Sequence, residues 1–167
     1  TAKMKYDYFG IDDCNMAVQL AGGGAKSCTY GCLGLGSCKK ACAFGAIEII
    51  DGVAVVDKDK CVACGKCVSA CPKHIIELLP AKKKVKVQCS SKDVGKNVMQ
   101  VCSTGCIACK ICEKNCPFDA IHVIDNVAVI DYSKCKSCGI CANKCPKGVI
   151  TGKRPAAPAA APAAAPK

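Results

Sequence analysis

The sequence CVACGKCVSACP, residues 61–72, decides the fold. Its four cysteines have the spacing C-x2-C-x2-C-x3-C and end in proline, which is the ligand spacing of bacterial iron–sulfur proteins. The same spacing recurs in CIACKICEKNCP, residues 106–117, and in CKSCGICANKCP, residues 135–146. Three close cysteines in such a run hold one cubane [4Fe–4S] cluster, and the fourth reaches a neighbouring cluster. The chain is therefore predicted to hold several clusters of this kind.

These runs belong to a longer repeat. Residues 25–78 align with residues 99–152 without a gap, at an offset of 74 residues. In each copy two apolar stretches flank a turn dipeptide, Asp51-Gly52 or Asp125-Asn126. Such a dipeptide between strand-like segments predicts a β-hairpin. The sequence therefore predicts an α+β protein with two tandem modules around [4Fe–4S] clusters and few long secondary-structure elements.

Composition divides the chain into five parts. Residues 1–24 are expected to be an N-terminal segment with a short helix, the end of a truncated upstream domain. Residues 25–80 form module 1, residues 81–98 form a connector, and residues 99–152 form module 2. Residues 153–167, KRPAAPAAAPAAAPK, predict a disordered tail, because an Ala/Pro sequence of this kind cannot pack.

The exchange of fourth cysteines between neighbouring clusters predicts three complete ligand sets. These sets are Cys106, Cys109, Cys112 and Cys145; Cys135, Cys138, Cys141 and Cys116; and Cys61, Cys64, Cys67 and Cys42.

The first cysteine run of module 1 departs from this spacing. KSCTYGCLGLGSCKKAC, residues 26–42, has the spacing C-x3-C-x5-C-x3-C, and Leu35 stands where module 2 has Cys109. Because Cys28 is extra in this run, we predict that it replaces the missing ligand. The fourth cluster would then use Cys28, Cys32, Cys38 and Cys71. The alternative is a site with three cysteines and an open or water-bound iron.

Three of the 19 cysteines stay unassigned: Cys14, Cys89 and Cys102. Cys14 precedes Cys28 by 14 residues, and Cys89 precedes Cys102 by 13, so their placement in the two halves is similar. These three are expected either to bind a further cluster with residues from outside this chain or to be buried free thiols.

Cysteine number and charge exclude other classes of protein. Disulfides alone cannot use 19 cysteines, and no apolar run approaches the roughly 20 residues of a membrane helix. Four clusters of charge −2 reduce the formal net charge of +11 to about +3. Nucleic-acid binding is not expected, because the aromatic residues that stack on bases are few. A zinc-binding nucleic-acid module is kept as the alternative of another class.

Residues 3–150 resemble the B subunit of the Rnf complex, the membrane-bound ferredoxin:NAD⁺ oxidoreductase of anaerobes. The resemblance lies in KYDYFGIDDCNMAVQLAGGGAKSCTYGCLGLGSCKKACAFGAI and in GCIACKICEKNCPFDAI. Each module is also similar to bacterial two-cluster ferredoxins, which implies two tandem ferredoxin-like modules with four [4Fe–4S] clusters in all.

The resemblance also implies a function. Electrons would enter from reduced ferredoxin and pass to other subunits of a membrane complex that reduces NAD⁺ and pumps Na⁺ or H⁺. This chain would have no catalytic site and no direct NAD binding. It would lie peripherally on the cytoplasmic face of the cell membrane, with the family's membrane anchor not present in this chain. The alternatives are a soluble polyferredoxin and a cluster subunit of another anaerobic reductase or hydrogenase.

Lysines predict where an electron donor would dock. Four of them crowd the connector, at Lys82, Lys83, Lys84 and Lys86, and others stand near the cysteines of module 1, at Lys39, Lys40, Lys58 and Lys60. A basic face beside a cluster would attract an acidic electron carrier and raise the rate of encounter.

Overall fold

The computed structural model describes residues 2–152. The predicted tail, residues 153–167, lies outside the described residues. Before module 1 the chain forms a short helix, α1 (Cys14–Ala17), and a 3₁₀ turn (Ala21–Gly23).

Each module is a β-hairpin between two short helices. Module 1 contains α2 (Ser37–Lys40), β1 (Ile47–Ile50), β2 (Val53–Val56) and α3 (Lys66–Ala70). The connector and the start of module 2 contribute β3 (Lys86–Val87) and α4 (Gly95–Val101). Module 2 continues with α5 (Ile111–Lys114), β4 (Ile121–Ile124), β5 (Val127–Ile130), α6 (Ile140–Lys144) and β6 (Ile150–Thr151). The helices and hairpin strands of module 1 recur 74 residues later, which confirms the predicted α+β fold of two tandem modules.

Both hairpins turn through the predicted dipeptides. Strand β1 pairs antiparallel with β2, and β4 pairs in the same way with β5. Asp51 and Gly52 have φ angles of 50° and 70°, while Asp125 and Asn126 have φ angles of 47° and 63°. Two successive left-handed residues are typical of the type I′ turn, whose twist matches that of the strands. The predicted hairpins are thus confirmed.

The connector packs on module 2 and enlarges its buried core. Strand β3 pairs antiparallel with β6, and Val85, just before β3, is almost fully buried. Val85 lies in one apolar cluster with the hairpin residues Ile121 and Ile130. Strand β5 is therefore mostly buried, whereas its counterpart β2 in module 1 is mostly exposed.

The N-terminal residues connect the two modules. The backbone N–H of Lys3 donates to the carbonyl of Val101 at 2.9 Å, and the Lys3 carbonyl accepts the N–H of Ser27 at 2.8 Å. Ser27 and Val101 are equivalent in the 74-residue repeat. Lys3 thus lies between the two segments that lead into Cys28 and Cys102.

All of the helices in the described part of the chain are short. The longest, α4, has 7 residues. No helix within residues 2–152 combines the length and the apolar character needed to cross a membrane.

Candidate metal centres

Four cysteines of module 2 meet at one pocket beside α5 and β6. They are Cys106, Cys109, Cys112 and Cys145, the first set that the sequence predicts for this module. Cys112 is buried, and burial, followed by the nearby charges of the other three cysteines, raises the pKa of its thiol to about 11. A thiol of this kind loses its proton when it binds a metal ion, because the cation replaces the solvation that burial removes.

The second predicted set of module 2 also shares a pocket. Its members are Cys116, Cys135, Cys138 and Cys141, and the pocket is closed by apolar side chains such as Phe118 and Ile140. Burial, followed by the charges of the other three cysteines, raises the pKa of the Cys141 thiol. The four sulfurs are therefore close enough to act on one another electrostatically.

Backbone N–H groups point at sulfurs of this second set. The N–H of Ser137 donates to Cys135 Sγ, and the N–H of Ala120 donates to Cys116 Sγ, both at 3.4 Å. Ser137 has a φ of 54°, a left-handed conformation that non-glycine residues adopt in tight turns. Such N–H···S bonds stabilise negative charge at the sulfurs, and they are one of the factors that set the reduction potential of a cluster.

The outer set of module 1 lies at the surface. Cys42, Cys61, Cys64 and Cys67 line one pocket together with Phe44, Val62 and Leu78. Burial, with added contributions from Cys61 and Cys64, raises the pKa of the Cys67 thiol. Cys61 and Cys64 are themselves exposed, so this set is more open to solvent than those around Cys112 and Cys141.

The irregular run of module 1 has a further cysteine neighbour that the sequence does not assign to it. Burial raises the pKa of the Cys38 thiol, and the nearby charges that add to this rise belong to Cys32, Cys14 and Cys71. The sequence predicts Cys28 as the fourth member of this set. Cys28 and Cys38 line one cavity, which also contains Cys14, whereas Leu35 lines a separate surface pocket. The structure thus places Cys14, which the sequence left unassigned, beside Cys38.

Cys14 is held near Cys38 by the start of α1. The carboxylate of Asp13 accepts the N–H groups of Asn15 and Met16, which caps the helix. The N–H of Cys14 itself donates to Ser37 Oγ at 2.7 Å, and Ser37 directly precedes Cys38. The helix-capping sequence Asp13-Cys14 is visible in the sequence, but nothing in it indicates the contact with Ser37.

The described thiols suit iron–sulfur clusters in both chemistry and grouping. Soft thiolates select Fe–S clusters, and each set brings such ligands to one pocket. In residues 2–152 no three Cys, His, Asp or Glu side chains are grouped so that they could hold one metal ion. A cubane does not require that arrangement, because each of its four irons takes one thiolate.

Comparison with protein-family models identifies the class of protein. A 4Fe-4S binding domain matches residues 54–77, and a 4Fe-4S dicluster domain matches residues 105–150. Ferredoxin-3 of Nostoc sp. is 31% identical over 65 residues, which cover 37% of this chain and 67% of that protein. The chain belongs to the ferredoxin family and binds [4Fe–4S] clusters. This membership decides against the zinc-binding alternative.

More extensive similarity is found to subunits of ion-translocating oxidoreductase complexes. The B subunit of the Na(+)-translocating ferredoxin:NAD(+) oxidoreductase complex of Acetobacterium woodii is 50% identical over 135 residues, 80% of this chain and 40% of that protein. The B subunit of the ion-translocating oxidoreductase complex of Methanosarcina acetivorans is 48% identical over 130 residues, 77% of this chain and 49% of that protein. The resemblance stated from the sequence is confirmed. The chain spans less than half the length of these two curated relatives.

Proposed function

We propose that this chain carries electrons through four [4Fe–4S] clusters, from reduced ferredoxin into a membrane-bound ferredoxin:NAD⁺ oxidoreductase that pumps Na⁺ or H⁺. The observation that supports the proposal is the grouping of the cysteines at pockets: four line each of three pockets, and the other seven line a fourth. In three sets the members are those that the sequence predicts. For the fourth set we propose Cys32, Cys38, Cys71 and Cys14 in place of Cys28, because the N–H of Cys14 is hydrogen-bonded to Ser37, next to Cys38, and Cys14 lines the same cavity as the other three.

The cysteines in this proposal are ligands rather than nucleophiles. When bound, each cluster accepts and donates one electron, and the chain supplies the environment. Buried sulfurs such as those of Cys112 and Cys141 keep water away, and backbone N–H groups stabilise the sulfurs of Cys116 and Cys135. The chain needs no catalytic site and no bound NAD for this role, and NAD⁺ is reduced elsewhere in the complex.

The iron content of the chain tests the number of clusters. This chain, prepared without oxygen, should contain at least about sixteen iron atoms, four per cubane. Iron analysis together with sulfide analysis measures this directly. Zinc in stoichiometric amounts, or iron near eight atoms per chain, would contradict the proposal.

The outer set of module 1 is the proposed entrance for electrons. Cys61 and Cys64 are exposed, and the exposed apolar side chains Val62 and Leu78 lie in the same pocket. The flanking lysines Lys58, Lys60 and Lys66 are exposed as well. Asp57 and Asp59 are exposed beside these lysines, and Lys60 pairs with Asp57 at 3.7 Å. A small apolar patch with lysines nearby is suited to a transient contact with an acidic redox protein.

Salt should slow electron transfer from reduced ferredoxin. The Debye length falls from about 10 Å at 0.1 M to roughly 3 Å at 1 M, so attraction between exposed charges is lost. We expect the stopped-flow reduction rate to fall about tenfold or more over this range, since steering of this kind raises rates by 10- to 10³-fold. A rate that does not respond to salt would rule out electrostatic steering.

Two matched double variants would locate the docking surface. Lys58→Glu with Lys66→Glu reverses charges beside the outer set, and Lys82→Glu with Lys84→Glu does so at the connector. We expect only the first pair to flatten the salt dependence. If only the second pair flattens it, the connector is the docking surface instead.

Lys83 has a structural position that sets it apart from the other connector lysines. Its Nζ donates to the carbonyls of Tyr132 and Cys135 at 2.6 and 3.0 Å, and the side chain is partly buried. A positive charge beside a cluster stabilises the reduced form. Lys83→Met should therefore lower one reduction potential; a loss of about 1 kcal/mol corresponds to roughly 40 mV. An EPR-monitored redox titration measures this shift, and unchanged potentials would show that the charge is screened.

The identity of the complex needs a separate experiment. We propose a peripheral position on the cytoplasmic face of the cell membrane, and the similarity to the two B subunits supports association with further subunits. Native purification without oxygen, followed by mass spectrometry of co-purifying chains, should recover the partner subunits of a membrane complex. Recovery of the chain alone, or with hydrogenase subunits, would contradict this assignment.

A further inference from the structure

Three cysteines have no role in the four proposed clusters, yet they face one cavity. Cys28, Cys89 and Cys102 line a cavity of about 270 Å³. The pockets beside the other cysteine sets have volumes of about 10, 20 and 30 Å³. Cys14, Cys32, Cys38 and Cys71 line the same large cavity, so it brings together seven cysteines, more than one cubane uses.

The N-terminal residues lie against the segments that lead into two of the three cysteines. The carbonyl of Val101, which directly precedes Cys102, accepts the N–H of Lys3, and the N–H of Ser27, which directly precedes Cys28, donates to the Lys3 carbonyl. Isolated antiparallel bridges also join Ala2 to Cys102 and Met4 to Lys26. The N-terminal residues thus hold the segments of Cys28 and Cys102, one from each module, beside the cavity that both cysteines line.

A glycine lies beside each of these two sulfurs. A Cβ at Gly31 would lie 3.6 Å from Cys28 Sγ, and a Cβ at Gly105 would lie 3.7 Å from Cys102 Sγ. Gly31 and Gly105 are equivalent in the repeat, so the two modules repeat a cysteine–glycine arrangement. In neither module does this cysteine belong to the C-x2-C-x2-C spacing. The repeat therefore indicates that Cys28 and Cys102 share a function outside the regular cysteine runs.

The connector supplies the third cysteine. Pairing of β3 with β6 fixes the chain just before Cys89, and Gln88 N–H donates to the Val149 carbonyl at 2.8 Å. The sulfur of Cys89 accepts the backbone N–H of Cys106 at 3.4 Å. Cys106 belongs to the first cysteine set of module 2. Cys89 is thus in contact with that set while it also faces the large cavity.

We propose that Cys28, Cys89 and Cys102 hold a fifth, cuboidal iron–sulfur cluster. Three soft thiolates match its chemistry, and the cluster is either [3Fe–4S] or [4Fe–4S] with water on the fourth iron. The inference rests on the proposed four clusters, because it assigns Cys14 to the set of Cys38. This cluster would lie between the modules. Its ligands line the same cavity as Cys38 of module 1, and its ligand Cys89 accepts a hydrogen bond from the N–H of Cys106 in module 2. Such a cluster would connect the two cluster pairs.

Native mass spectrometry of the full chain, prepared and sprayed without oxygen, tests the inference. The wild-type chain should carry five cluster masses, and Cys102→Ala and Cys89→Ala should each carry four. Cys138→Ala is the matched control, because it alters a cluster of module 2 and should leave the fifth in place. Combining Cys138→Ala with Cys102→Ala should therefore affect two clusters.

The possible outcomes separate this inference from the proposed function. Four clusters in the wild type, all kept in Cys102→Ala, would overturn the fifth cluster and leave the other four. A zinc mass at this site would also overturn it, and fewer than four clusters in the wild type would overturn both proposals. The number of clusters in the wild-type chain tests the inference even if a variant does not fold.

Discussion

Replacing Cys14 by alanine should damage the cluster that Cys32, Cys38 and Cys71 share. With one thiolate lost, that cubane either falls to [3Fe–4S] or is released, so iron decreases by between one and four atoms per chain. The reason is the placement of Cys14. Its backbone N–H donates a hydrogen bond to Ser37 Oγ, and its nearby charge contributes to the raised pKa of the Cys38 thiol. Native mass spectrometry of the anaerobic variant measures the loss.

Pairs of substitutions distinguish Cys14 from Cys28 as the fourth ligand. Substitutions in different clusters should add, and substitutions in the same cluster should not. We therefore expect Cys14→Ala with Cys102→Ala to affect two clusters, and Cys28→Ala with Cys102→Ala to affect one. The reverse pattern would restore Cys28 to the place that the sequence predicts for it.

Leu35→Cys serves as a second control for this assignment. This substitution recreates the regular C-x2-C-x2-C-x3-C spacing of the cysteine run. The sequence alone therefore predicts that the new cysteine supplies the missing ligand and restores the cluster. Because Leu35 lines a separate pocket with Gly34 and Gly36, we expect no rescue of Cys14→Ala. Recovery of the cluster in the double variant would mean that this loop rearranges around a new ligand.

Removal of iron should unfold module 1 before module 2. Ligand binding contributes folding free energy in small metal-binding domains, so both modules lose stability when iron is chelated. The hairpin of module 2 retains its apolar core, in which Val127 and Ile130 are buried. The equivalent Val53 and Val56 are exposed. Burying one such side chain contributes about 1.5–3 kcal/mol, so module 2 should keep at least tenfold greater protection.

Hydrogen exchange after graded chelation measures this order of unfolding. Amides of β1 and β2 should exchange at an iron content at which β4 and β5 are still protected. Chelation without oxygen, followed by mass spectrometry of peptides, resolves the two hairpins. Simultaneous loss of protection in both would mean that the modules unfold as one cooperative unit, coupled through Lys3 and the connector.

The sequence predicts most of this architecture because the relevant geometry is local. The regular spacing of the runs at Cys61, Cys106 and Cys135 places three sulfurs on one loop, and the four cysteines of each corresponding set line one pocket. The 74-residue offset likewise predicts where the elements of module 2 recur. Turn residues such as Asp51-Gly52 need only their neighbours to form the hairpin.

The remaining features depend on contacts between distant parts of the chain. Alignment of the repeat indicates Cys28 as the replacement for the lost ligand, and this prediction still has to be tested against Cys14. The contact of Cys14 with Ser37 spans 23 residues and has no marker in the sequence. In the same way, a run of lysines in the sequence indicates only a charged surface. The hydrogen bonds from Lys83 Nζ to the carbonyls of Tyr132 and Cys135 are visible only in the folded chain.

The exposed position of Cys61 and Cys64 also determines where air damages this protein. Dioxygen and peroxide oxidise thiolates that they can reach, and solvent reaches this pair while Cys112 and Cys141 are shielded. In air, the cluster at Cys61 and Cys64 should therefore be lost first, and time-resolved native mass spectrometry would record one cluster mass leaving before the others. The opening that we propose as the entrance for electrons would thus also limit the lifetime of the protein in air.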